Sequence, residues 1–471
     1  MGITEKVAFE KSNLTADFRS NTPRDSMEDT VMDGTRSAVV TGPDPPKAGV
    51  MDTGAKAWMT VAGAWFILFA TFGYLYSFGV YQDFYTRNYL SNYTPSEIAW
   101  IGSFQIMMPF AMGVISGKLF DAGYFHALEI TGSIIFVFSL FMLSLAQPQK
   151  YYQIFLSQAV GLGIGLGLTF VPAASIAVHH FKRRKALATG VALSGSSLGA
   201  VVFPILIKWV FPSANKVSGR LADHYIHFGS NLIKTHSFGT TVRASGYLVL
   251  GFLVIGNLLV RSAYENVQSK GPKPDIKRFF VDPPYMWTVL AALISTFGFY
   301  FPLIYLQLYA IKHGIDPNLS FYSIAILNSF SALGRVGANH MADIYGPINL
   351  LTPCTLITAA SIFSVFGVQG HGSLIAVSII YGLFSGAWLS LSVASLNSLA
   401  RHPSETGART GLALALGSFG SLGSAPVQGA LLTDDFHWNR PIIFSGACIL
   451  HLYTIKTRTG ADGGHVFDRF S

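Results

Sequence analysis

Ala188-Thr-Gly-Val-Ala-Leu193 early in the chain and Arg409-Thr-Gly-Leu-Ala-Leu414 late in it are two copies of one pattern, offset by about 222 residues. The same offset pairs Gly113, Gly117 and Asp121 with Arg335, Asn339 and Asp343. A glycine follows each aspartate (Gly123, Gly346), and Pro204 pairs with Pro426. Chance matches between apolar segments are common, so the ordered set carries the reading and no single pair does. The chain reads as a duplication of one unit.

The surroundings of the two copies say what that unit is. Of 471 residues, 51% are hydrophobic and only 12% charged, against about 25% charged in ordinary soluble domains. The apolar residues fall into twelve blocks at about 57 to 81, 98 to 117, 127 to 146, 153 to 178, 186 to 211, 244 to 260, 285 to 311, 319 to 341, 348 to 368, 373 to 400, 410 to 432 and 441 to 455. Roughly 20 residues of helix cross a hydrocarbon core about 30 Å thick. Helices bond their backbone within their own segment, so each block predicts one transmembrane helix. An all-α membrane protein with twelve spans, arranged as two six-helix repeats, follows. Such parallel repeats are a known architecture of secondary transporters, with the substrate site between the halves near mid-membrane. A soluble enzyme, a disordered chain and a disulfide scaffold are excluded. The net charge of +8 is scattered between apolar blocks and forms no nucleic-acid-binding stripe. Cys354 and Cys448 sit inside apolar blocks as small hydrophobes.

Residues 1–56 are polar and predict a disordered cytosolic tail. With that tail inside, the even-numbered connections hold twelve bases and the odd ones eight, four of which lie in one unusually long connection. That excess of Lys and Arg makes the even loops cytosolic, and both termini with them. Asn92 and Thr94 form a glycosylation sequon in the first outside loop. The first bundle is expected over 57–260, a basic cytosolic linker over 261–284, the second bundle over 285–455 and a cytosolic tail over 456–471. Residues of about 215–234 look inserted, as from a retained non-coding segment. The last apolar block, Ile442 to Ile455, has 14 residues. That predicts a last helix too short or truncated to cross.

Several motifs carry a resemblance. Asp52, Gly54 and Trp58 lead into the first helix, and Phe181, Lys182, Arg183, Arg184, Leu187, Ala188, Gly190, Ala192, Gly195 and Gly199 form an aromatic and basic cluster entering a glycine-spaced fifth helix. Gly117, Leu119, Asp121 and Gly123 form a loop motif after the second helix, repeated as Gly334, Arg335, Asp343 and Gly346. On these residues the chain resembles the major facilitator superfamily and, within it, the fungal monocarboxylate porters. The resemblance implies twelve helices in two repeats and transport by alternating access. It implies a conformational role for Asp121, Asp343 and their loops, Gly117, Gly334, Arg183 and Arg184 among them. The glycines, Gly190 and Gly195 included, let helices approach closely.

Apart from Lys208, Arg335 is read as the one strongly charged side chain well inside an apolar block. Central placement of an arginine costs about 2.5 to 3.5 kcal/mol on insertion scales, so such a residue is functional by default. Eight residues before Asp343, it lies roughly 12 Å from the helix end. A guanidinium there can hold a carboxylate bidentately, and the resemblance implies an arginine at this point that binds the substrate anion. Tyr305, Asn328 and Asn397 are further substrate-contact candidates, and Tyr300, Gln307, Ser390, Ser392 and Ser395 line the same helices. Animal porters pair this arginine with an aspartate one turn earlier and with a lysine in the first helix. Ser331 and Tyr76 stand at those positions here, which counts against proton-coupled lactate or pyruvate transport; proton co-transport stays an open alternative, and a larger polar or aromatic solute suits the surface better. No zinc site, phosphate loop or nucleophile elbow occurs, so neither metal, cofactor nor catalytic residue is expected, and the chain is not read as an enzyme. The expected function is carriage of a small organic anion or polar metabolite across a plasma membrane. A non-transporting receptor and an efflux carrier for secondary metabolites are the alternatives.

Overall fold

The computed structural model describes residues 54–210, 238–261, 276–400, 405–433 and 436–461. Nearly all of the expected tail over 1–56, the 215–234 insertion, most of the 261–284 linker and the last ten residues lie outside the described residues.

Among the described residues all regular structure is helical. Twelve long helices follow one another: α1 Ala55–Tyr89, α2 Ser96–Asp121, α3 Phe125–Ser144, α4 Tyr151–His180, α5 Lys185–Val210, α6 Phe238–Leu259, α7 Pro283–Lys312, α8 Pro317–Tyr345, α9 Pro347–Gly367, α10 His371–Ser398, α11 Thr406–Leu432 and α12 Asn439–Ala461. A short helix, Ile276–Phe280, precedes α7. Nine of the twelve are long and apolar enough to cross a membrane by length and composition. The other three are diluted by polar and charged residues: α8 carries Asn328, Arg335, Asn339 and Asp343, α11 carries Arg409 and Gln428, and α12 carries Lys456 and Arg458. Ile130, Ile134 and Phe138 form an exposed stripe along α3, the face a membrane helix turns to lipid.

Local chemistry fixes the helix ends. Thr94 caps α2: its Oγ1 accepts the Glu97 N–H at 3.2 Å, and the Glu97 carboxylate accepts the Thr94 N–H at 2.8 Å, a reciprocal capping box. The sequon threonine thus serves as a helix cap. Asp316 caps α8 by accepting the Leu319 N–H at 2.9 Å, with Pro317 at the first helical position. Gly123 (φ 91°) and Gly346 (φ 82°) turn the chain out of α2 and α8. This left-handed backbone explains why glycine follows each aspartate of the repeat.

Two expectations change. The last helix is longer than its apolar run: α12 has 23 residues and continues past the 14-residue block through Lys456 and Arg458, although it is not among the helices long and apolar enough to cross a membrane. The tail expected from 456 therefore begins as helix. Arg409, counted among the loop bases, is instead a buried ion pair. It is 2% exposed, bonded to Asp282 at 2.9 Å and to Glu405 at 3.1 Å, and it lies over the Phe279 ring at 4.7 Å. It holds the start of α11 against the lead into α7.

Candidate functional site between the two halves

Two equivalent seams join α1–α6 to α7–α12. In one, the Asp121 carboxylate at the end of α2 accepts the Gly407 and Ala408 N–H groups at 2.8 and 2.6 Å. In the other, Asp343 near the end of α8 accepts the Ala186 and Leu187 N–H groups at 2.8 and 2.9 Å. Each carboxylate sits on the N-terminal turn of the opposing helix, where unpaired N–H groups and the helix dipole favour an anion. Arg184 adds positive charge beside Asp343, with His340 close by; Arg183 is exposed on the same face.

Glycine permits the approach. A Cβ on Gly117 would lie 2.1 Å from the Gly407 carbonyl oxygen, one on Gly411 1.9 Å from that of Gly113, and one on Gly190 2.5 Å from that of Arg335. Gly195 and Gly334 pack inside their own halves, against the Trp65 and Leu383 carbonyls respectively. Four predicted residues, Gly117, Asp121, Gly190 and Asp343, are thus brought to the seams on one face of the molecule. That face carries Lys182 to Lys185 and is called the basic face below.

Deeper along the second seam lies Arg335, 4% exposed. One terminal nitrogen donates to the Leu193 carbonyl at 2.9 Å and to Ser196 Oγ at 2.6 Å, both on α5. Its Nε has no hydrogen-bond partner, and no carboxylate pairs with it among the described residues. Tyr76 from α1 and Tyr300 from α7 flank the guanidinium electrostatically. One turn on, Asn339 donates to Ser390 Oγ of α10 at 2.6 Å. Ser331, where the resemblance has an aspartate, faces Ser197 Oγ at 3.2 Å.

The other substrate candidates do not gather around Arg335. Tyr305 donates to the Ala425 carbonyl at 3.0 Å, Asn328 to its own helix at Ile324, and Asn397 accepts from Thr410 at 2.8 Å. Each is tied up in the second half. Sequence reasoning missed Ser196 and the aromatic wall, since helical periodicity does not say which ring faces a cleft. It also missed Glu129 on α3: Arg335 and Lys208 are not the only charges inside the blocks. Glu129 is fully buried, with neither carboxylate oxygen hydrogen-bonded. Its place in the third apolar block was the available signal.

A cavity of about 660 Å³ lies on the far side of Tyr300, which lines it and flanks Arg335, while Arg335 itself is not among its lining residues. Phe110 and Phe170 of the first half and Phe299, Tyr300 and Trp388 of the second line its inner end. These rings continue into a packed wall, with Phe72 to Phe170 and Phe299 to Trp388 each 4.8 Å between centroids. The volume and the mostly apolar, sparsely polar lining match a small-molecule site.

A family profile described as Major Facilitator Superfamily matches residues 57–366. The chain belongs to the Major Facilitator Superfamily. Among its relatives, the aspyridones efflux protein of Emericella nidulans is 35% identical over 86% of this chain and 79% of its own. The fujikurins efflux protein of Gibberella fujikuroi is 33% identical over 91% and 87%. Solved superfamily structures share the fold. The Escherichia coli fucose:proton symporter superposes with a TM-score of 0.63 at 17% identity over 84% of this chain and 97% of its own. The human organic anion transporter MFSD10 does so with 0.63 at 10% identity over 85% and 99%. Superfamily membership, a multi-pass membrane location and the helical fold are thereby established. The porter-group affinity expected from the motifs is not what the relatives' names carry.

Proposed function

We propose that the chain is a secondary carrier that exports an amphipathic, weakly acidic metabolite by alternating access to a site between its halves. One observation supports this reading: a buried guanidinium with an open Nε and no carboxylate partner among the described residues is separated only by Tyr300 from a cavity walled by aromatic rings from both halves. Burying a cation without a counter-ion is costly, and an anionic ligand removes that cost. The rings offer area to an apolar or aromatic body. Small monocarboxylates would leave most of 660 Å³ unfilled. Relatives named as efflux proteins for fungal metabolites favour export of a secondary metabolite over the uptake of small organic anions expected from the motifs.

In this proposal the basic face is cytosolic, both termini with it, and the membrane is the plasma membrane. Asp121 and Asp343 then close the cytosolic side, and Arg335 is parked on Leu193 and Ser196 of α5. Cargo arriving at the opened cytosolic side takes the guanidinium from α5, coupling occupancy to the seam. Ser331 offers no carboxyl for proton coupling, so that role is not assigned to it.

Inside-out vesicles test this directly. Aromatic carboxylates should accumulate saturably, and Arg335→Ala should lower that flux by about 100-fold, the scale of losing charged hydrogen bonds in a buried site, with membrane insertion unchanged. Saturable uptake of small monocarboxylates alone, or flux indifferent to Arg335→Ala, would overturn the reading.

A further inference from the structure

The cavity does not stop at the centre. From Phe110 and Phe170 it runs along α7 and α10 towards the basic face, past Ala292 and Trp287 on α7 and Ser395 on α10, to the turn between α8 and α9 at Tyr345 to Asn349. Trp287, Ile344 and Tyr345 are exposed at its outer end, large apolar and aromatic side chains of the kind a membrane protein can turn to lipid. Meanwhile the direct route between the halves on that face is shut, by carboxylate bonds at Asp121 and Asp343 and by backbone contact at Gly117 and Gly411.

Two polar groups show that this passage is more than a seam for acyl chains. Trp388 Nε1 and Ser395 Oγ both belong to residues lining it, both residues are at least 98% buried, and neither atom has a hydrogen-bond partner. Seven residues apart, they lie on one face of α10, about 10 Å from each other along the helix. A buried donor without an acceptor costs about 1 to 3 kcal/mol. A hydrocarbon chain cannot relieve that cost, whereas an aromatic ligand bearing carbonyl or hydroxyl oxygens can.

We infer that the α7–α10 passage is a binding site through which an apolar aromatic metabolite with oxygen acceptors reaches the centre from the lipid leaflet on the basic face, holding to the Trp388 N–H and the Ser395 hydroxyl on its way. The inference rests on the export reading for its direction, but not for the occupancy of the site. It explains how cargo that partitions into the membrane is collected while the aqueous route between the halves is latched.

The probe is 4-benzoylbenzoate, an aromatic keto-acid that cross-links to neighbouring C–H bonds under ultraviolet light, applied to the full chain in lipid vesicles with peptides mapped by mass spectrometry. Label is expected on α7 and α10 peptides containing Trp287, Leu389 or Leu396. Ala292→Trp, which fills the passage, should abolish it. Trp388→Phe, which keeps a ring and removes the N–H, should weaken half-saturation by about fivefold, the worth of one hydrogen bond near 1 kcal/mol. Arg335→Ala should keep the label while losing flux, so that failure of the export reading and failure of the passage are told apart. Label confined to other helices, or unchanged by both Ala292→Trp and Trp388→Phe, would overturn the site. So would a photoactivatable phosphatidylcholine that marks the same peptides and is not displaced by the probe, since the passage would then be filled by lipid.

Discussion

Gly113 and Arg335 occupy the same place in the two repeats, and they face opposite demands. On the first-half seam, Gly113 presses against Gly411 so closely that a Cβ on Gly411 would lie 1.9 Å from the Gly113 carbonyl oxygen. At the matching seam, Arg335 carries the longest side chain of α8 into the interface and bonds the backbone of α5. The latches nearer the basic face, Asp121 and Asp343, are by contrast alike in geometry and in partner type. Duplication has kept the carboxylate latches and altered the residue at the position to which the proposal assigns cargo binding. The chemistry is gathered in one half, while the other supplies a glycine seam, carbonyl acceptors and aromatic rings.

That contrast can be broken most severely at the glycines. Gly411→Leu should abolish transport and weaken the closed form, because the added atoms meet backbone that has no rotamer with which to yield. Cysteine accessibility on the basic face should rise; a variant that transports normally would show that the tight seam is dispensable. Next in size, Arg335→Lys should retain less than about a tenth of the aromatic-acid flux, since a point charge cannot replace a planar fork. Placing an arginine at the twin position, Gly113→Arg, should not restore it, and restoration would mean that the halves are chemically interchangeable.

Asp121→Asn and Asp343→Asn sharpen the likeness of the latches. Each loses charge-assisted bonds to two N–H groups, worth about 1 to 2 kcal/mol in a partly buried site. Each should shift the closed population by roughly 5- to 30-fold, measured by spin-label distances across the basic face. Unequal shifts would show that Arg184 and His340 beside Asp343 matter more than the shared geometry. The smallest effect is expected at Glu129, buried without a partner. Exchange for methionine should leave thermal stability unchanged or raise it by a few degrees, because an uncompensated buried polar group is often bettered by apolar packing. A marked loss of stability would reveal a partner essential to the first half.

Much of this was legible in the residues. Hydrocarbon thickness converts apolar runs into helices almost without reference to context, so twelve spans could be counted although three of them are diluted by polar side chains. Asp121 and Asp343 were readable as latches because each ends a helix and is followed by a glycine that turns the chain. Arg335 stood out for the cost of its place. The bonds that Tyr305, Asn328 and Asn397 make within the second half were not legible, since in such helices most polar side chains bond the nearest backbone or neighbour, and a single sequence does not show which do.

Alone, the sequence determined the membrane architecture and marked Arg335 as a cation in an apolar block, because each depends on a local cost that solvent or lipid imposes residue by residue, and its internal repeat gave the duplication. Only the tertiary structure decided that Arg335 rests on Leu193 and Ser196, that Tyr76 and Tyr300 flank it, and that Trp388 and Ser395 leave polar atoms unpaired along a cavity. Those facts depend on how helices far apart in the chain rotate and cross, and helix rotation is settled by the fit of whole faces against one another.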